Sequence, residues 1–138
     1  GTDLRVSGGD IIAYYSDERL KDFHGKIENS LDKVMKLNGY YFTENEKAKD
    51  LGFNNDKMQV GVSAQELERV LPQAVTQAPF DNEQNENLYI SGSRIDNEIE
   101  PYKTVKMDKV VPLLIESIKE QQKQIDELKE LVTKLTNK

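Results

Sequence analysis

A chain of 138 residues, 36% hydrophobic and with a formal net charge of -6, has room for one domain and an appendage. Its pI near 4.9 argues against a nucleic-acid surface, which is normally basic. With no Cys and a single histidine, His24, disulfides, thiol catalysis and Cys- or His-rich metal sites are excluded.

A mean hydropathy of -0.72 is low for a monomer that must bury roughly 70% of its unfolded surface. A partner chain that completes the core would explain it. No apolar run of about 18 residues and no signal-peptide pattern occur, so no membrane partner is expected. There is no GxxxxGK[ST] phosphate loop, and no cofactor or metal is expected.

In chain order, Asp10-Ile11-Ile12-Ala13-Tyr14-Tyr15 is an apolar, β-prone run after Gly8-Gly9 and reads as a short strand. Ser16-Asp17-Glu18-Arg19-Leu20-Lys21 follows. It sets a hydroxyl near an amine, and a neutral amine can take a serine proton. Along a regular helix, five residues would leave the two side chains roughly 140° apart. An intrachain pair therefore needs Ser16 in a strand or turn before any helix starts; otherwise the amine comes from another subunit.

Ile27, Leu31, Val34, Met35 and Leu37 recur at helical spacing before Asn38-Gly39. Tyr40 to Thr43 reads as a strand, residues 44–57 as a polar loop with one helical turn near Lys47–Leu51, and Met58 to Val62 as a second strand. Ser63 with Glu66 three residues on makes a capping-box start, and Pro72 stops that helix after Val70-Leu71. Residues 76–100 form a long polar excursion with Leu88-Tyr89-Ile90 as an edge strand, and Tyr102 to Lys106 alternates as a strand.

The tail carries heptads, with Val111, Ile118, Ile125 and Val132 at a, and Leu114, Gln121, Leu128 and Leu135 at d. Every a position is β-branched and only Gln121 is polar, a coiled-coil pattern that would run roughly 40 Å at 1.5 Å per residue. Pro112 is tolerated only in a first turn, which places the helix start between Asp108, a good N-cap, and Pro112. Apart from Leu131, residues 119–138 hold almost no apolar side chain off this seam. Self-association is thus favoured over packing on the chain's own domain. β-Branched a with Leu at d leans towards dimers.

Taken in order, these blocks resemble a known family. Ser16-Asp17-x-Arg19-Leu20-Lys21 precedes Leu31-Asp32-Lys33-Val34 and Leu37-x-Gly39. Then come Val60-Gly61-x-x-Ala64-Gln65-Glu66, Val70-Leu71-Pro72, Tyr102-x-x-Val105 and Leu113-Leu114-Ile115-x-x-Ile118-Lys119-Glu120. The pattern resembles the intramolecular chaperone auto-processing domain of phage tail spikes, tail fibres and neck appendages, a module also found in myelin regulatory factor proteins.

The resemblance implies an α+β fold: a small globular domain with a long C-terminal coiled-coil helix, assembled as a homotrimer. It implies three parts: a pre-cleavage segment (1–15), the chaperone domain (16–107) and the coiled coil (108–138). It further implies that the domain folds the upstream fibre of the same polypeptide, then cuts at Tyr15–Ser16, with Ser16 as nucleophile and Lys21 as base. The setting would be a virion tail-appendage precursor processed in the bacterial host cytoplasm. A non-cleaving trimeric fibre tip is the alternative.

A lysine acts as base only where burial or a neighbouring cation brings its pKa down to about 7–8. Arg19 is the nearest cation, and Asp17 and Glu18 must point elsewhere. Attack by Ser16 on its own preceding carbonyl and attack through a water both stay open. His24 is a supporting candidate that competes with a surface or satisfied core histidine. Gln65 and Glu66 are supporting candidates that compete with a helix cap.

Overall fold

The computed structural model describes residues 7–137. Among them lie helices α1 (Ser30–Met35), α2 (Glu46–Asp50), α3 (Ala64–Val70) and α4 (Val110–Thr136). The strands are β1 (Tyr40–Phe42), β2 (Gln59–Gly61), β3 (Val75–Gln77), β4 (Tyr89–Ile90), β5 (Ser93–Arg94) and β6 (Lys103–Val105). They pair antiparallel as β1–β2, β3–β6 and β4–β5, so the class is α+β, as expected. No helix among the described residues is long and apolar enough to cross a membrane.

α3 starts as its sequence predicts: Ser63 Oγ accepts from the Glu66 backbone N–H at 3.2 Å, and the helix ends at Val70, ahead of Pro72. The second half of the capping box is not made. Glu66 instead accepts from Asn38 and from Tyr40 of β1, two donors in place of one backbone amide. α3 packs on the β3–β6 pair and buries Leu67. Among the described residues the buried apolar side chains are Leu67, Ala74, Ala78, Leu88 and Leu113. That is a small core for such a chain.

α4 packs along α1 through Leu113, Ser117 and Glu120, which are one turn apart on one face. Glu120 Oε2 accepts from Ser30 Oγ at 3.1 Å and from the Leu31 backbone N–H at 2.8 Å. Asn29, ahead of α1, sits in the left-handed region at φ 50° and gives no side-chain cap. The acceptor that a helix start needs therefore comes from the distant α4.

Residues 76–100 are more structured than their polarity predicts. The Asp81 carboxylate is fully buried and accepts from Arg94 Nη1 at 3.0 Å, Tyr89 OH at 2.8 Å and the Tyr102 backbone N–H at 2.6 Å. Asp96 holds the other side of the guanidinium, 2.7 Å from Nε, and Arg94 lies over the Tyr89 and Tyr102 rings at 5.6 and 5.2 Å. Ser91 and Gly92, both with positive φ, close the two-residue β4–β5 turn that matches strand twist.

Several expectations are corrected. Residues 10–15 form no strand, because no described segment pairs with their backbone, and an unpaired strand has nowhere to place its hydrogen bonds. α1 is shorter than the apolar spacing predicts and leaves out Ile27 and Leu37, since Asn29 turns the chain just ahead of it. Asp108 is not an N-cap; it lies inside a 3₁₀ turn, Met107–Lys109, that runs into α4, with Pro112 in the first turn.

Two outcomes follow. Leu113→Ala, which empties a fully buried site between α4 and α1, is expected to cost about 2–5 kcal/mol, read by urea unfolding at one fixed protein concentration.

The second concerns acid. Arg94 hydrogen bonding chiefly holds the Asp96 carboxyl down at about 2. Burial alone would raise Asp81, but the Tyr102 amide, Tyr89 and Arg94 outweigh it and leave it lowered. Lowered carboxyls stabilise the fold above their unfolded pKa, and that contribution is lost as pH falls from about 4 towards 2. Asp96→Asn should flatten this acid limb in pH-dependent denaturation, and an unchanged limb would refute its origin.

Candidate active site

Ser16 lies just before a single 3₁₀ turn, Glu18–Leu20, and Lys21 just after it, in extended backbone at φ -131°. Two bonds hold the turn: Leu20 N–H to Asp17 C=O at 3.1 Å and Lys21 N–H to Glu18 C=O at 3.2 Å. A turn of three residues per revolution folds the chain back far enough that Lys21 Nζ donates to Ser16 Oγ at 2.7 Å within one chain. The obstacle of a regular helix is avoided because Ser16 stays outside it.

Asp17 caps the turn by accepting from the Arg19 backbone N–H at 2.9 Å. Its carboxylate is also clasped by the guanidinium, with Arg19 Nε at 3.0 Å from Oδ1 and Nη2 at 2.8 Å from Oδ2. The Arg19 hydrogen bonds hold Asp17 below its ordinary value, and Asp17 in turn raises Arg19. Asp17 is thus engaged by Arg19 rather than by the Lys21 amine. Arg19 is spent on Asp17 rather than on Lys21. Ser16, Lys21 and His24 are all exposed, and His24 makes no hydrogen bond to either of the other two.

Gln65 and Glu66 lie on α3, apart from this turn. Glu66 Oε1 accepts from Asn38 Nδ2 at 2.6 Å and from Tyr40 OH at 2.8 Å. The Asn38 bond first, and then Tyr40, hold Glu66 below its usual value, while Glu66 raises Tyr40. Glu66 therefore ties α3 to β1, and Gln65 lines an open groove with Asn97–Lys103.

The heptad stripe of α4 is left bare. Ile118 is 65% exposed and Leu128 60%, whereas Leu113 on the α1-facing side is 0% exposed. Val111, Leu114, Gln121, Ile125, Val132 and Leu135 are exposed with them. At 100° per residue the stripe is centred roughly 95° around the helix from the Leu113–Ser117–Glu120 face, so α1 and the stripe do not compete.

Sequence reasoning missed Asp81, Arg94 and Asp96, and also Glu120. The alternation of Asp, Arg and Tyr over residues 81–102 was the available signal for the cluster. Nothing local marks Glu120, whose partners are about ninety residues away.

Residues 16–76 match the family described as chaperone of endosialidase, and the match opens on Ser16 itself. Long tail fiber protein Gp37 of Enterobacteria phage K3 is 35% identical over 113 residues, 74% of this chain and 9% of its own length. The Gp37 protein of phage T2 is 35% identical over 113 residues, again 74% of this chain and 8% of its own length. That of phage M1 is 34% identical over 125 residues, 89% of this chain and 42% of its own length. This chain thus spans under a tenth of the first two relatives. The ordered blocks from Ser16 through Pro72 all lie inside the matched stretch, so residues 16–76 of this chain are similar to the chaperone-of-endosialidase family.

Proposed function

We propose that this chain is a C-terminal intramolecular chaperone of a phage tail fibre, which trimerises, directs folding of the fibre upstream of it, and then releases itself. One observation carries the reading: the 2.7 Å Lys21–Ser16 contact stands at the first residue of the family match. Residues 1–15 would then stay with the fibre, 16–107 form the chaperone domain and 108–138 the coiled coil. The chain would act on its own polypeptide, in a virion tail precursor within the bacterial host cytoplasm.

In the proposed reaction Lys21 Nζ takes the Ser16 proton, and Ser16 Oγ attacks the carbonyl carbon of Tyr15. The C–N bond breaks, the proton passes to the Ser16 nitrogen, and an ester joins Tyr15 to Ser16. Water then hydrolyses that ester to a Tyr15 carboxylate and the free Ser16 hydroxyl. Removal from water favours the neutral form of a lysine amine. Packing of subunits around the turn supplies that removal, which ties cutting to assembly. A positioned base of this kind contributes about 10²–10⁴-fold.

The test is a denaturing gel of the chain joined to its upstream fibre. Wild type is expected to give two bands, and Ser16→Ala one. Lys21→Arg, which keeps the charge but cannot deprotonate, should slow cutting by about 10²-fold or more, and in a Ser16→Ala background should leave the uncut assembly's sedimentation mass unchanged. A single band for wild type would favour a non-cleaving trimeric tip.

The seam is tested separately. Ile125→Gln with Leu128→Gln is expected to reduce the sedimentation mass from trimer towards monomer, and an unchanged mass would remove the coiled coil from the assembly.

A further inference from the structure

β1 and β2 form a ladder of their own, and an isolated strand pair is marginal in water. Apart from the bonds that join them, residues 40–42 and 59–61 make no backbone–backbone hydrogen bond to another described residue, so both outer edges are open. Met58, Val60 and Val62 alternate along β2 and its flanks and so share a face, with Tyr41 directly across from Val60. All four are exposed, Tyr41 and Val60 by more than 70%. Gln59 on β2 also holds a buried amide nitrogen with no acceptor.

The same chain carries a segment with the complementary need. Residues 11–15 are apolar and exposed, and their backbone groups make no backbone–backbone hydrogen bond to described residues. An unpaired strand edge is a template for another chain segment, and strand addition is a general way to recognise an extended peptide.

We infer that residues 11–15 of one copy add as a strand along the β2 edge of a second copy. Ile12 and Tyr14, on one side of the added strand, lie beside Met58, Val60 and Val62. The acceptor is a second copy because segment and sheet both stand uncovered when one chain folds alone. The inference rests on the proposed self-cleavage, and gives it a reason to wait for assembly. The Tyr15 carbonyl is steadied against Ser16 only when a neighbour's sheet holds the strand that leads into it.

The chain has no Cys, which allows a clean test. Two copies are co-expressed as full-length Ser16→Ala chains, one bearing Ile12→Cys. The other is size-tagged and bears Met58→Cys, Val60→Cys or Val62→Cys in turn. After mild oxidation, a disulfide between the differently sized copies is expected at one of the three positions. A parallel Leu128→Cys pair on the seam reports whether copies meet at all. Seam disulfides with none at any of the three β2 positions would overturn the strand docking and leave the assembly reading standing. Loss of both would overturn the two together. A disulfide formed only within one chain, when both cysteines are placed in it, would also refute the second copy as acceptor.

Cutting provides a second readout. Val60→Asp should slow self-cleavage by about tenfold or more through misplacement of the scissile bond, while in a Ser16→Ala background the uncut assembly keeps its sedimentation mass. An undiminished rate in this variant refutes the docking, whereas absence of cutting in wild type refutes the proposed function instead.

Discussion

The junction of Leu113, Ser117 and Glu120 with α1 decides what every other surface of this chain is left to do. It buries one face of the long helix at its globular end, and Glu120 supplies the acceptors that the start of α1 lacks. Because that face is used inside the chain, the apolar stripe from Val111 to Leu135 is turned outward. A helix with a single apolar stripe would have to choose between packing on its own domain and joining other helices. Two distinct faces about 95° apart allow both, and the inner one sets the direction in which the outer one points.

The Ser16–Lys21 pair is held by a device of similar economy. A single 3₁₀ turn brings a hydroxyl and an amine five residues apart to 2.7 Å, and within that turn Arg19 engages the Asp17 carboxylate. An isolated surface ion pair contributes little to stability. Its effect is positional: it decides which of two neighbouring cations stays available to the serine. Geometry is in place before the environment is, because both partners remain in water.

Elements whose causes are local were legible in the sequence. Ser63 and Pro72 bracket α3, Tyr40–Phe42 and Gln59–Gly61 pair as β-prone runs, and the heptads of α4 survive intact. The Ser16–Lys21 pair was legible as chemistry, and the residues between them left the choice between cis and trans open. What escaped depends on partners distant in sequence. Asp81 reads as one more polar residue in a polar excursion until Tyr102, twenty-one positions on, donates its amide. Glu120 reads as a solvated heptad flank until α1 arrives, and the β-propensity of residues 10–15 is not realised because strand formation needs a neighbour.

Many of the exposed apolar groups gather in the α4 stripe, on the β1–β2 pair and in residues 11–15, and a contiguous exposed apolar patch marks a contact surface. Burial of five small and medium apolar side chains is a modest return on ordering so long a chain, which fits the low mean hydropathy of -0.72. Under the proposed self-cleavage, a fold completed by association would have a natural way to time the reaction. The strand leading into the Tyr15–Ser16 bond and the Lys21 amine would both wait on the same association. On that reading, a chain that has not met its partners holds the Ser16 hydroxyl and the Lys21 amine in contact but lacks the setting in which they would react.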